Sequence, residues 1–180
     1  RQAMTQGIEA HKKVEFVLTM NYVLNTSAKY SDIVLPVTTE WERPGTLLTG
    51  NREILIYAQH IVDPLYEAKS DQEIAIGIAE KLGFSAEEVY DIDETQQLFN
   101  KLAGSTVLGA DGTTKEPLLT ITKEDIEAMG VTGEPQEGKI TLQEFQEKGI
   151  YQVERKDGDA YTNLPFAKFI EDPEANPVAT

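Results

Sequence analysis

The chain has 180 residues, a formal net charge of −15 and no cysteine. Its 40% hydrophobic content supports a packed core, while the charge argues against nucleic-acid backbones and anionic membrane surfaces as partners. Disulfide frameworks, thiolate metal sites and cysteine nucleophiles are excluded, and His11 and His60 are too far apart in sequence to read as a spaced ligand pair.

No apolar run approaches the ~18 residues of a membrane-spanning helix. The first Met is residue 4, so the chain reads as starting within a polypeptide, with no signal segment. Residues 14–20, rich in apolar and β-branched side chains after the charged His11-Lys12-Lys13, predict a buried strand. Residues 26–30 read as a short helical turn. Residues 32–37 predict a second apolar strand, with Pro36 placing its end near an edge or loop. Two such strands joined by a compact helical turn suggest a parallel α/β unit. Residues 38–51 read as a loop punctuated by Pro44, Gly45 and Gly50, and residues 53–58 as a third strand. Ser70 followed three residues later by Glu73 is a capping-box pattern. It predicts a helix with Ile74, Ile78, Ala79 and Leu82 on one face and Gly83 as its stop.

Beyond Gly83 the composition changes. Glu87, Glu88, Asp91, Asp93 and Glu94 lack the spaced ligands and central Gly of a calcium loop, and read as a solvated acidic turn. Residues 96–103 predict an amphipathic helix through Leu98, Phe99 and Leu102. Residues 104–120 read as loop, and two short helices follow Thr122 and Thr141. The last thirty residues are polar with scattered aromatics (Tyr151, Tyr161, Phe166, Phe169) and end extended, Pro173 and Pro177 blocking helix. The expected fold class is α/β: a partial, open, mostly parallel sheet with flanking helices and an irregular helical and extended C-terminal tail. Residues 1–84 would form the core. Residues 85–180 would bury little by themselves and wrap over it, or over something absent from the chain, with Phe145, Tyr151, Phe166 and Phe169 as anchors.

There is no Gly-rich phosphate loop, paired-histidine metal motif or Gly-x-Ser-x-Gly elbow. The specific signal is an ordered series: Phe16 to Asn21, then Thr26 to Thr39 with Ile33-Val34-Leu35-Pro36, then Trp41-Glu42-Arg43-Pro44-Gly45, Asn51-Arg52 and Ser70-Asp71. Together with the tail segments 142–149 and 169–177, this series resembles the third domain of the molybdopterin oxidoreductases, in particular the dimethyl sulfoxide reductase family. The resemblance spans most of residues 12–180 and is weakest between about 85 and 135. It departs from the family pattern at Asn21, where an acid is common, and at Ser31, where Ala is common.

The resemblance implies an interior fragment of a longer catalytic subunit that reduces S- or N-oxides in anaerobic respiration. The cofactor it implies is bis-molybdopterin guanine dinucleotide with molybdenum. The metal ligand and most of the cofactor cradle lie outside these residues, so no catalytic or metal-binding residue is expected here and the fragment alone should be inactive. The cofactor-binding residues it implies are Met20 and Asn21 at the first strand's end, Arg43 after the second, and Asp71 at the helix start. Asp71 suits the ring N–H and exocyclic amine of guanine, Arg43 a phosphate or a base face, and Asn21 a ribose hydroxyl or base edge. The implied partners are the remaining domains of the subunit and an iron–sulfur electron-transfer subunit. A twin-arginine signal upstream would make the intact enzyme exported or membrane-associated. Each site residue also has an ordinary reading: Asp71 as a helix-start carboxylate, Arg43 as a surface ion pair with Glu42, Asn21 as a turn residue. One rival stays open on sequence alone, an acidic, non-catalytic interaction module with an α/β core; a small hydrolase would need a nucleophile–base pair that the sequence does not show.

Overall fold

The computed structural model describes residues 4–51, 54–159 and 166–177. Arg52, Glu53 and Tyr161 lie outside the described residues. The chain is mixed α/β, with small sheets flanked by helices and, among the described residues, no closed barrel.

A first helix, α1 (Met4–His11), precedes strand β1 (Leu18–Asn21). A 3-10 turn at Ala28–Tyr30 leads to β2 (Ile33–Pro36), which pairs with β1 in parallel, Leu18 opposite Ile33 and Asn21 opposite Pro36. Asp32 fixes that register. Its carboxylate accepts from Val17 N (2.8 Å) and its own N–H donates to Val17 O (2.9 Å). The Ser31 hydroxyl, where the resemblance expects Ala, is bonded to Thr19 Oγ1 (2.5 Å) and to Ser27 O (3.1 Å). A third extended segment continues the parallel order: Val37 bridges Lys69, Thr38 N donates to Lys69 O (3.0 Å), and Lys69 N to Pro36 O (3.3 Å). Helix α2 (Asp71–Lys81) starts from this segment. The Ser70 capping box is formed, with Ser70 Oγ accepting from Glu73 N (3.1 Å) and Glu73 Oε2 from Ser70 N (2.7 Å).

The expected buried strand at residues 14–20 is shorter and less buried than that. Val14 and Phe16 precede β1 and are exposed, as are Met20 and Ile33, because the described residues lay no second layer over this face of the pair. Ile74 of α2 is buried, while Ile78 and Leu82, the residue that ends the helix, are exposed.

The segment expected to be loop at 38–51 holds a 3-10 turn at Glu40–Glu42 and a strand, β3 (Gly45–Asn51). β3 pairs antiparallel with β4 (Ile54–Gln59), the register shifting between Thr49 and Asn51 around Gly50. Gly45 punctuates nothing. It sits at φ 142°, where a Cβ would lie 3.1 Å from the Tyr57 hydroxyl and 3.3 Å from Leu98, so glycine lets the strand pass close to its neighbours.

Residues 86–152 contradict the expectation of little burial. Helices α3 (Ala86–Val89) and α4 (Glu94–Ala103) are followed by a hairpin, β5 (Thr106–Leu108) and β6 (Lys115–Pro117), where loop was expected. Asp111 closes the hairpin turn, accepting from Thr113 N, Thr114 N and the Thr114 hydroxyl. Next come β7 (Leu119–Thr120), α5 (Lys123–Met129), β8 (Ile140–Thr141), α6 (Leu142–Lys148) and β9 (Ile150–Gln152). β7 and β8 pair in parallel, and β9 adds antiparallel to β4. Thr122 and Thr141 cap α5 and α6 as their spacing predicts.

The main core is Leu98, Phe99 and Leu102 of α4, Leu55 of β4, Val107, Leu118, Leu119, Ile121 and Ile140 from the strands and their flanks, and Leu142 and Phe145 of α6. Leu102, Leu118, Leu119 and Phe145 have no solvent exposure. Phe145 and Tyr151 are anchors as expected, Phe145 meeting the Tyr57 ring at 6.0 Å between centroids. Phe166 and Phe169, around the short α7 (Ala167–Glu171), remain exposed. The tail beyond is a turn rather than extended chain. Asp172 Oδ1 accepts from Glu174 N and Ala175 N, a local alternative that Pro173 leaves intact.

Candidate functional site

Parallel strands bring their C-terminal ends to one side, and in open α/β sheets that side is where ligands sit. Here β1 ends at Asn21, β2 leads into Val37 and Thr38, and the Lys69 segment leads into Ser70 and Asp71. A cavity of about 690 Å³ opens there, lined by Met20, Asn21, Tyr22, Val37, Thr38, Thr39, Glu40, Trp41, Arg43 and Asp71. The volume suits a nucleotide-sized ligand. All four residues singled out from the sequence therefore share one wall.

Thr38 is the buried hub of that wall, 4% exposed. Its N–H completes the bridge to Lys69, its hydroxyl accepts from Arg43 Nε (3.1 Å), and its carbonyl from Arg43 Nη2 (3.2 Å). Arg43 Nη2 also donates to Asp71 Oδ2 at 2.5 Å. The expected surface pair between Arg43 and Glu42 does not form; the guanidinium turns to the helix start instead. Both partners are partly exposed, so the pair contributes well under the value of a buried one, on the order of 0.2–1 kcal/mol. Its geometric effect is larger: it fixes the Asp71 carboxylate at the first residue of α2, where the helix dipole also favours a negative charge. Among the described residues, Asp71 Oδ1 has no hydrogen-bond partner.

Asn21 turns the chain. Its Oδ1 accepts from Val23 N (3.3 Å) and its backbone carbonyl from Val37 N (3.4 Å), as a residue turning the chain at a strand end would. Its Nδ2 has no partner among the described residues. Met20 and Trp41 give the wall apolar surface, Trp41 being 62% exposed. Glu40 adds a carboxylate, so with Arg43 set against Asp71 the lining carries a net negative charge.

Sequence reasoning did not single out Thr38, Tyr22, Glu40 or Trp41 as lining residues. A polar pair, Thr38-Thr39, directly after an apolar strand was the available signal for Thr38. Glu42 lies behind the wall. The Thr39 N–H and hydroxyl, and then the Leu65 N–H, hold its carboxyl below the usual carboxylate range.

A second cavity, of about 650 Å³, lies beside β9 and carries Glu116, Lys139, Glu144 and Lys148. These charges are spent on one another, in the pairs Lys139–Glu116 and Lys148–Glu144. Among the described residues, no group of three or more His, Asp or Glu side chains could hold a metal ion, and no helix is long and apolar enough to cross a membrane.

Residues 2–81, which contain the whole cavity wall, match the molybdopterin oxidoreductase family. A dimethyl sulfoxide/trimethylamine N-oxide reductase of Cereibacter sphaeroides is 38% identical over 96 residues, covering 52% of this chain and 12% of the relative. A dimethyl sulfoxide/trimethylamine N-oxide reductase of Rhodobacter capsulatus is 27% identical over 99% of this chain and 19% of its own length. A dimethyl sulfoxide reductase of Escherichia coli is 25% identical over 96% of this chain and 18% of its own. The chain thus spans less than a fifth of the length of these relatives.

Proposed function

Because the chain belongs to the molybdopterin oxidoreductases, of the dimethyl sulfoxide reductase type, we propose that its cavity holds the guanosine end of a molybdopterin guanine dinucleotide. The observation that carries this reading is the meeting of Asn21, Arg43 and Asp71 at the ends of three parallel segments. The donor set fits a guanosine. Guanine presents a ring N–H and an exocyclic amine side by side, and a carboxylate accepts from both. Asp71 is held for that task by Arg43, and its Oδ1 is uncommitted among the described residues. Asn21 Nδ2 can donate to a ribose hydroxyl, and Trp41 offers a face on which a base can stack. The net negative lining disfavours phosphate, so on this reading the pyrophosphate lies beyond this wall.

When bound, the molybdenum cofactor supplies two-electron chemistry, reducing an S- or N-oxide with two protons to the parent sulfide or amine and water. This chain contributes binding and orientation, as proteins do for cofactors that carry the hard chemistry themselves. The catalytic cycle belongs to a longer subunit, and the chain alone is inactive. Its neighbours there are the remaining domains, with an iron–sulfur subunit as electron donor; export or membrane association belongs to that assembly. Exposed Ile61, Leu65 and Tyr66 support docking against such neighbours, and they are also what a non-catalytic interaction module would show.

Trp41 is the single Trp of the chain and lines the cavity, so its fluorescence reports the site. GMP should change Trp41 emission saturably and AMP should not, because adenine lacks the paired donors. Asp71→Asn removes a charged hydrogen-bond acceptor worth about 1.5–3 kcal/mol and should weaken GMP binding roughly 10- to 150-fold. Equal responses to GMP and AMP, or an unchanged affinity in Asp71→Asn, would remove the guanosine reading.

A further inference from the structure

We infer that Glu42 is the positioning residue of this cavity: it fixes the 38–43 segment that carries Thr38, Trp41 and Arg43. The inference rests on the nucleotide reading only for what the cavity holds. Glu42 has no cationic partner among the described residues. Both of its oxygens are spent on two loops: Oε2 accepts from Thr39 N (2.7 Å) and the Thr39 hydroxyl (2.8 Å), and Oε1 from Leu65 N (3.0 Å). Thr39 follows the hub Thr38, and Arg43 follows Glu42, so the carboxylate closes the turn that separates the two cavity residues.

The same turn is clamped from its other side. The Trp41 carbonyl accepts from Ile61 N (2.8 Å) and Val62 N (3.2 Å). Residues 61–65 are therefore tied to the turn at both ends, once through a backbone carbonyl and once through Glu42. Immediately after Leu65 the chain takes a conformation that a bulky residue rarely adopts: Tyr66 has φ 55° and a fully exposed ring. A side chain exposed in that way does not hold the backbone there, whereas the Leu65 N–H bond to Glu42 does constrain it. A charged acceptor that orders two loops and touches no cation acts through geometry. It sets where Trp41 stands on the rim and from where the Arg43 guanidinium reaches Thr38 and Asp71.

Glu42→Gln preserves shape but sets its amide NH2, a donor, against either the Thr39 or the Leu65 N–H, and Thr39→Val removes only the hydroxyl donor. In the ligand-free chain, Glu42→Gln should shift Trp41 emission and raise its quenching by acrylamide, with Thr39→Val showing the same change at smaller size. The two changes meet at one oxygen, and a neutral amide leaves the Thr39 hydroxyl less to lose than a carboxylate does, so the double variant should fall short of the sum. The GMP dissociation constant should rise about tenfold in Glu42→Gln, the scale of one charge-assisted hydrogen bond. Amide exchange at Leu102 and Leu118 should stay unchanged. Wild-type Trp41 emission in Glu42→Gln, full additivity in the double variant, or loss of core protection would each overturn the positioning role. If the wild-type chain fails to bind GMP, the nucleotide reading falls, and the ligand-free emission still decides the role of Glu42.

Discussion

The two parts of this molecule differ in what covers them. The parallel unit of β1, β2 and the Lys69 segment is held by backbone hydrogen bonds and short polar contacts such as Asp32 to Val17. It leaves Met20 40% and Ile33 44% exposed. The α4–α6 region is held by packing, with Leu102, Leu118 and Phe145 fully enclosed. The candidate site lies entirely on the first part. A ligand wall can be built from strand ends and capped turns with little enclosed apolar volume, while stability is drawn from a neighbouring core.

The contrast can be broken by mutation. Phe145→Ala should cost about 3–5 kcal/mol, the range for emptying an enclosed aromatic position. At this chain length that is a fall of roughly 10 °C in Tm. Ile33→Ala, on the half-covered strand, should cost under about 1.5 kcal/mol, since much of its surface already meets water. Equal costs would mean that the parallel unit is packed as tightly as the rest.

A smaller loss is expected at Gly138. A Cβ there would lie 2.4 Å from the Leu119 carbonyl carbon and 2.6 Å from that of Leu118. Backbone cannot yield as a side-chain tip can, so Gly138→Ala should cost about 1–3 kcal/mol in thermal or urea unfolding while leaving GMP affinity alone. The smallest change is expected at the cap: Ser70→Ala should cost about 1 kcal/mol through the lost bond to Glu73 N. Because Asp71 is the next residue, this variant should also weaken GMP binding, which Gly138→Ala should not.

Much of the site was legible because its signals are local. Ser70 and Glu73 mark a helix start three residues apart, and the ordered series through Ile33-Val34-Leu35-Pro36, Arg43 and Asp71 resembles one family. The pairing of Arg43 with Asp71 rather than Glu42 was not legible, since it joins residues 28 positions apart through the fold. Strand β3 was missed because Gly45 and Gly50 look like turn residues, yet they serve a close approach and a register shift. The main core was missed for a related reason. The face of Leu98, Phe99 and Leu102 shows in one window, but the other core residues sit one or two at a time on short elements, and Leu55 joins them from far upstream. Close backbone packing such as that at Gly138 leaves no sequence pattern at all.

Amide exchange of the whole chain, with and without saturating GMP, tests the account most directly. Amides of α4, of Leu118 to Ile121 and of α6 should exchange slowest, and those of β1 and β2 much faster. GMP should slow exchange at β1, at Thr38 and at the start of α2 while leaving the core unchanged. Protection of β1 equal to that of α6, together with no response to GMP, would contradict both the division of the molecule and the site placed upon it.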